Sequence, residues 1–310
     1  MNKYMENYIG ELAAIGTSLC YAFGSTFFTF ATRDLGVQRI NRIRLLLALI
    51  LVVGMHVLLV GQWLPAELPP AQMVLLVASG IVGLVIGDAF LFQAFVMVGP
   101  RLSMLMMALA PVFATIMALI FLPGEPALPL IKLGGIALAV AGIALVVTER
   151  RSGNDGSTPQ ARGRQYWIGL LFGLGASLGQ AGGSVLSKSV LDTGYEPVSA
   201  LFVRLAAATV VIWVLTVGQR QVLETVRGFR MKGITAGQLM IGVVTGPVIG
   251  VWLTLIALQR TSTGVASTLT SLTPIFLIPI GALIFKERVS VQAVLGTVVA
   301  FAGTVLLFVG

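Results

Sequence analysis

Long apolar runs alternate with short polar joints along almost the whole chain. Ten runs reach the roughly 20 mostly apolar residues that carry a helix across about 30 Å of hydrocarbon. They lie near 9–31, 40–60, 71–97, 101–122, 129–148, 166–188, 197–218, 237–258, 264–285 and 290–309. Inside lipid each backbone N–H and C=O must be satisfied within its own segment, so such runs predict helices. The pattern therefore predicts an all-α integral membrane protein with ten transmembrane helices. One joint differs from the rest. Segment 149–165, ERRSGNDGSTPQARGRQ, is polar, basic and rich in Gly, Ser and Pro, and reads as a flexible linker. Segment 219–235 is also basic, but Val222, Leu223, Val226 and Phe229 fall at helical spacing, which predicts a short amphipathic helix on the membrane surface. Trp63 and Trp167 stand at run ends, as interface anchors do.

The pattern on one side of the linker returns on the other. Ile9-Gly10 matches Ile168-Gly169, and Ala22, Gly24 and Ser25 match Ala181, Gly183 and Ser184, all at an offset of 159. Arg44-Leu45 matches Arg204-Leu205 at 160. Gly87, Ala94 and Pro111 match Gly250, Ala257 and Pro274 at 163, and Gly135 and Gly142 match Gly296 and Gly303 at 161. Drifting offsets are what small loop insertions leave behind. The reading divides the chain into a first five-helix repeat over 1–148, the linker over 149–165 and a second five-helix repeat over 166–310. Five is odd, so the second repeat enters the membrane in the opposite orientation and the two are inverted.

The fourth span of each half carries a proline, Pro111 and Pro274, and the segments 102–125 and 264–287 each end on a lone glutamate, Glu125 and Glu287. Proline within a helix removes a backbone hydrogen bond and bends the axis, at about 3 kcal/mol in a soluble core. In a membrane the break is tolerated where neighbouring helices or a cavity satisfy the freed carbonyls. Two broken spans in corresponding places point to a transporter's binding site.

Composition changes the picture in two respects. The 310 residues are 57% hydrophobic and only 10% charged, against about a quarter charged in soluble domains. The net charge of +8 would suggest nucleic acid in a soluble protein. Here the basic residues sit mostly between runs, so they read as topology signals and contacts to membrane lipid, with no nucleic-acid partner. Most of the 20 Lys and Arg fall on the side of the odd-to-even loops, which include the linker. The positive-inside rule then places those loops in the cytoplasm and both termini outside. The first apolar run belongs to the repeat, so it reads as a retained helix and not a signal peptide. One cysteine, Cys20, rules out an intramolecular disulfide.

Two five-span repeats, each opening on a small-residue helix and closing on a proline helix, a glutamate and a glycine-rich last helix, resemble the EamA branch of the drug/metabolite transporter superfamily. Pro111, Glu125, Gly135 and Gly142 carry the resemblance in the first half, and Pro274, Glu287, Gly296 and Gly303 in the second, with Arg44 and Arg204 opening the second helix of each. The resemblance covers nearly the whole chain. It implies helices around a central cavity, alternating access, and export of a small metabolite or drug-like solute across the cell membrane, without a cofactor. Both repeats are in one chain, so a monomer suffices. Members of this family are usually drawn with both termini inside, opposite to the charge count.

Candidate cavity residues are polar or large groups inside apolar runs. Asp88 is the one acid deep in a run. An intramembrane carboxylate is a functional hypothesis by default, and the alternatives are a structural ion pair with Arg44 or a protonated, hydrogen-bonded acid. Arg44 and Arg204 read either as such partners or as side chains snorkelling to the interface. On the first helix of each half, Ser18, Tyr21 and Ser25, then Ser177, Gln180 and Ser184, share a face at spacings of three and four. The serines suit close helix packing, whereas Tyr21 and Gln180 suit a cavity wall. Gln93, Trp252, Thr270 and Thr273 complete the candidates, the two threonines just before Pro274. Met104, Met106 and Met107 offer an adaptable apolar wall or plain packing. Gly242, Gly246 and Gly250 read as helix packing.

Other readings stand beside transport of a small solute: a non-transporting receptor or scaffold, which would not need polar groups around two matched helix breaks, a flippase within transport itself, and an intramembrane enzyme. A flippase for lipids or lipid-linked carriers would use a similar scaffold with an apolar lateral opening. An intramembrane enzyme finds weak support in Gly175-Ala176-Ser177-Leu178-Gly179, which matches the nucleophile-elbow pattern. That motif needs a strand-to-helix turn and a histidine partner. This one lies inside a helix, and the only histidine, His56, belongs to another span. No metal-ligand or phosphate-loop pattern accompanies it.

Overall fold

The computed structural model describes residues 8–121, 130–147, 163–260, 266, 269–284 and 290–309. Glu125, Glu287 and nearly all of the 149–165 linker lie outside the described residues. All regular structure among the described residues is helical. In the first half α1 is Ile9–Leu35, α2 Val37–Val60, α3 Pro70–Gly80, α4 Asp88–Met107, α5 Ala110–Phe121 and α6 Leu130–Val147, with a π-helical segment π1, Ile81–Gly87, joining α3 to α4. In the second half α7 is Arg164–Leu191, α8 Pro197–Gly218, α9 Val222–Gly228, α10 Gly233–Val243, α11 Val251–Arg260, α12 Thr273–Ile284 and α13 Val291–Val309. Segment π2, Val244–Gly250, joins α10 to α11. Elements α3, π1, α4 and α5 begin 163 residues before α10, π2, α11 and α12, while α2 precedes α8 by 160 and α6 precedes α13 by 161. These are the offsets at which the sequence matches itself.

Six of the described segments are long and apolar enough to cross a membrane: α1, α2, Pro70–Gly99, α7, α8 and Gly233–Arg260. Their surfaces are arranged for lipid. Ile50, Leu58, Val210, Val214 and Leu283 are exposed, whereas Thr17, Ser18, Asn41, Arg44, His56 and Arg204 are buried. A soluble domain places these residue types the other way round.

Local chemistry sets the joints. Gly36 adopts φ 80°, and its N–H closes on Thr32 O at 2.8 Å, so α1 turns into α2 with no intervening loop. A side chain at that φ would be strained. Gly99, at φ 82°, interrupts α4 in the same way and parts the third apolar run from the fourth. Proline leads α3 and α8, where its missing N–H is not needed. Within π2, Pro247 sits in a widened turn whose spare geometry accommodates a residue without a donor.

The proline breaks have a specific form. Residues 108–109 and 271–272 leave the α-helical path, and tight bonds run from Leu109 N to Met106 O at 3.0 Å and from Leu272 N to Leu269 O at 3.2 Å. Pro111 and Pro274 are the second residues of α5 and α12. They open a new helix rather than kink a continuous one, in the first turn where the absent N–H leaves no carbonyl unpaired.

The halves are interlocked. Helix α1 packs on α10, π2 and α11, and α7 packs on α3, π1 and α4, so each half's first helix lies on the other half's third span. Repeat mates also pair, α2 with α8 and α6 with α13. Glycine makes the closest approaches possible. A Cβ on Gly179 would stand 2.7 Å from Gly87 Cα, and those on Gly242 and Gly250 would strike the rings of Phe28 and Tyr21 at 2.8 Å.

Candidate functional site

Two adjoining cavities lie where the halves meet. The first, about 660 Å³ including its open part, is bounded by both proline breaks through Pro111, Ala108, Ser271 and Pro274, and by Ser184, Thr254, Thr270 and Thr273. The second, about 580 Å³, is lined by Ser25, Phe28, Arg44, Asp88, Phe92, Phe95 and Pro247. Tyr21, Met104, Met107 and Gln180 line both and form the partition between them. Tyr21 and Gln180 are repeat mates, and both reach the same two cavities because α1 and α7 each cross to the opposite half.

The first cavity holds polar groups that are free to bind. Gln180 and Ser184, one turn apart on α7, have no hydrogen-bond partner among the described residues. Other hydroxyls are already committed. Thr270 donates to Ala266 O at 2.8 Å, Thr273 to Thr270 O at 2.8 Å and Ser25 to Ala22 O at 3.0 Å, leaving only acceptor capacity. Thr254 directs its proton to Gly250 O at 2.9 Å, so in the 3.0 Å contact between Tyr21 Oη and Thr254 Oγ1 the tyrosine is the donor. Ser18 donates to Leu269 O at 2.5 Å, which ties α1 to the second break at a carbonyl the break exposes.

The second cavity is organised by charge. Arg44 Nη2 donates to Asp88 Oδ2 at 2.5 Å and to Leu84 O at 3.1 Å, and Asn41 Oδ1 accepts from Nε and Nη2 at 3.0 and 2.9 Å. The guanidinium lies over the Phe92 ring at 4.8 Å. Leu84 belongs to π1, so the widened turn supplies a carbonyl, and Asp88 follows as the first residue of α4. Arg44 is thus held on three sides in a nearly dry site, with side-chain exposures of 3% for Arg44 and 17% for Asp88.

Two candidates lie elsewhere. Gln93 lines a separate surface hollow with Asp34, Arg39, Arg42, Gln221 and Glu224. There Arg42 donates to Thr225 Oγ1 at 3.1 Å and to Gln219 Oε1 at 3.0 Å, while Arg39 pairs with Glu224, fixing α9 to the start of α2. That pairing holds the Glu224 carboxyl below the usual carboxylate range, so the contact survives through that range and is lost only as pH falls beneath it. Trp252 lines neither cavity, and its Nε1 is buried without an acceptor among the described residues. His56 bridges Gln62 O at 2.8 Å and Ser199 Oγ at 2.9 Å. A carbonyl can only accept, so Nδ1 carries the proton and the ring serves as a tie between α2 and α8. Ser177 is helical throughout its neighbourhood and donates to Leu174 O at 2.9 Å.

Comparison with known proteins bears on this arrangement. The model of the EamA-like transporter family matches twice, over residues 8–148 and 167–309. No curated protein sequence matches the chain. A solved structure described only as "Crystal structure of protein" is similar to it with a TM-score of 0.66 at 15% identity, covering 99% of this chain and 98% of the other. At that identity the likeness speaks for the fold alone.

Proposed function

This chain belongs to the EamA-like transporter family, and from that premise we propose that it is a permease that carries a small metabolite or drug-like solute between its two halves. Family membership makes it a multi-pass membrane transporter of the drug/metabolite type. The finer reading is ours: ten spans in two inverted repeats, with 149–165 as the link, exposing the cavities alternately to each side and exporting across the plasma membrane. The observation that carries it is the first cavity, where the unpaired Gln180 and Ser184 face two matched helix breaks at Pro111 and Pro274. A packing surface would have paired or lost such groups, since an unmet polar group in a dry site costs about 1–3 kcal/mol.

The test is transport by protein reconstituted in liposomes, first with wild type across a solute panel and then with Gln180→Leu and Thr273→Val. Each variant removes a polar contact worth about 0.5–1.5 kcal/mol, so the apparent solute affinity is expected to fall about 2- to 10-fold while thermal stability is kept. Unchanged transport in both, at matched protein per vesicle, would remove these residues from the solute's path.

Orientation follows from charge. The linker side carries most of the basic residues, so it is cytoplasmic. A Ser157→Cys variant with Cys20 replaced by alanine is expected to resist a membrane-impermeant thiol reagent in intact cells and to react once the cells are permeabilised. Ready labelling in intact cells would reverse the orientation.

A further inference from the structure

Tyr21 and Gln180 occupy equivalent places at an offset of 159, yet only one of them is held. The Tyr21 ring rests on Gly250, the last residue of π2, where a Cβ would stand 2.8 Å from Cε1 and 2.9 Å from Cδ1. Its hydroxyl donates to Thr254 Oγ1 at 3.0 Å, and Thr254 spends its own proton on Gly250 O at 2.9 Å. At the offset of 163, the mate of Gly250 is Gly87 and the mate of Thr254 is Leu91. Gly87 does meet α7, since a Cβ on it would stand 3.4 Å from Gly179 Cα. Leucine, however, offers no acceptor. Gln180 accordingly has no hydrogen-bond partner among the described residues, where Tyr21 has one.

The partition between the cavities therefore consists of one latched side chain and three loose ones. Gln180 is unbonded, and Met104 and Met107 are unbranched thioethers that repack readily. Tyr21 has open volume on two faces, about 660 Å³ in the first cavity and about 580 Å³ in the second, so its ring has room to turn off Gly250. Among the described residues, the bond to Thr254 is the one polar contact that keeps the ring in place. A neutral hydrogen bond of this kind is strong enough to bias a side chain and weak enough to break in each cycle.

We propose that Tyr21 is the gate between the two cavities: its bond to Thr254 holds the passage shut, and a solute crosses from one cavity to the other when that bond breaks and the ring turns aside. This rests on the permease reading and assigns the step between its two stations. The asymmetry of the repeat divides the labour. Tyr21 closes the passage. Gln180, facing a leucine at the position where Tyr21 finds a threonine, keeps both the donor and the acceptor of its amide for the solute at the threshold.

The test reads the passage itself and needs no identified solute. Ser25 and Ser184 are repeat mates, each four residues beyond a partition residue, and they line different cavities. Full-length protein carrying Cys20→Ala, Ser25→Cys and Ser184→Cys is placed in phosphatidylcholine nanodiscs and treated with bis-methanethiosulfonates of increasing tether length. A tether bonded to both thiols must run through the partition. Mass spectrometry compares the rate of bridging with the rate of single modification. Tyr21→Phe and Thr254→Val are each expected to raise that ratio about 2- to 10-fold, as loss of one neutral hydrogen bond does. The two together are expected to raise it no further, because they remove the same bond. Thr254→Ser keeps the hydroxyl and is expected to keep the wild-type ratio. An unchanged ratio in both single variants, or effects that multiply in the double, would overturn the gate. So would the absence of any bridge even in Tyr21→Ala. Transport in liposomes separates the gate from the reading it rests on. Solute moved by protein whose bridging ratio ignores Tyr21→Phe would remove the gate and leave the permease. Faster bridging in the variants, with no solute of the panel moved by any of them or by wild type, would keep the gate and remove the permease.

Discussion

Replacing Gly142 or Gly303 by leucine is expected to prevent accumulation of folded protein. These glycines form the contact between α6 and α13. A Cβ on Gly142 would stand 2.2 Å from Ala300 N and 2.6 Å from Gly296 O, and one on Gly303 would stand 2.2 Å from Ala139 N and 2.7 Å from Gly135 O. The obstacles are backbone atoms, which have no alternative rotamer, so the helices must separate by more than an ångström. Adding even one methyl to a packed contact costs about 1–3 kcal/mol, and a whole isobutyl group exceeds that. In lipid the loss is not recovered by hydrophobic burial, because helix association there rests on close packing. Gly134, in the same helix α6, meets nothing within 4 Å. Gly134→Ala is expected to be neutral or to stabilise by up to about 1 kcal/mol through helix propensity. Size-exclusion profiles and Tm of the three variants check this, and a Gly142→Leu protein as stable as wild type would refute the contact.

That contact also shows why the repeat was legible. Gly142 meets Ala300 and Gly296, while Gly303 meets Ala139 and Gly135, and each of these residues is the repeat mate of one in the other contact. The two segments are therefore related by a local two-fold, and both copies face the same steric demand. Glycine was retained on both sides, and the match survives in sequence. Long apolar runs were legible for a similarly strict reason, since lipid accepts few other spanning segments.

The candidate site was legible only in part, and helical periodicity explains the division. Leu84, Leu91 and Phe92 stand three or four residues from Asp88, and Phe95 seven, so all of them line the second cavity from one helix face. Gln93 falls five residues after Asp88, well off that face, and reaches the surface hollow instead. On α11 the cavity residues are Val251, Thr254 and Leu258, again at steps of three and four. Trp252 follows Val251 by one position and points about 100° away. Polarity inside an apolar run picked out Gln93 and Trp252, whereas the helical face picks out Thr254. The π segments and the buried place of Arg204 against π1 were not visible from pattern. The first depends on one extra residue in a turn, and the second on what α3, π1 and α7 bring to α8.

Asp88→Asn is the second substitution expected to have a large effect, and the geometry now fixes its direction. Asp88 is the acid bonded to Arg44, and it also lies within electrostatic range of Arg204. Asparagine keeps the shape and one acceptor oxygen but removes the charge, leaving the buried Arg44 guanidinium without a negative partner. Breaking a buried pair by removing one member costs about 3–5 kcal/mol, a large share of the 5–15 kcal/mol that holds a typical domain. The variant is expected to be lost from the membrane or to unfold many degrees below wild type. The double variant Arg44→Met with Asp88→Leu removes both charges, and a hydrophobic replacement of a buried pair is often neutral or stabilising. It is therefore expected to recover the folded protein. If Asp88 serves the structure alone, transport recovers with it. If Asp88 also carries a proton or touches the solute, the double variant is folded and inactive. Tm and transport of the single and double variants, measured in the same liposomes, separate these outcomes. An Asp88→Asn protein that keeps the wild-type Tm, full transport and an unchanged pH profile would dismiss both roles.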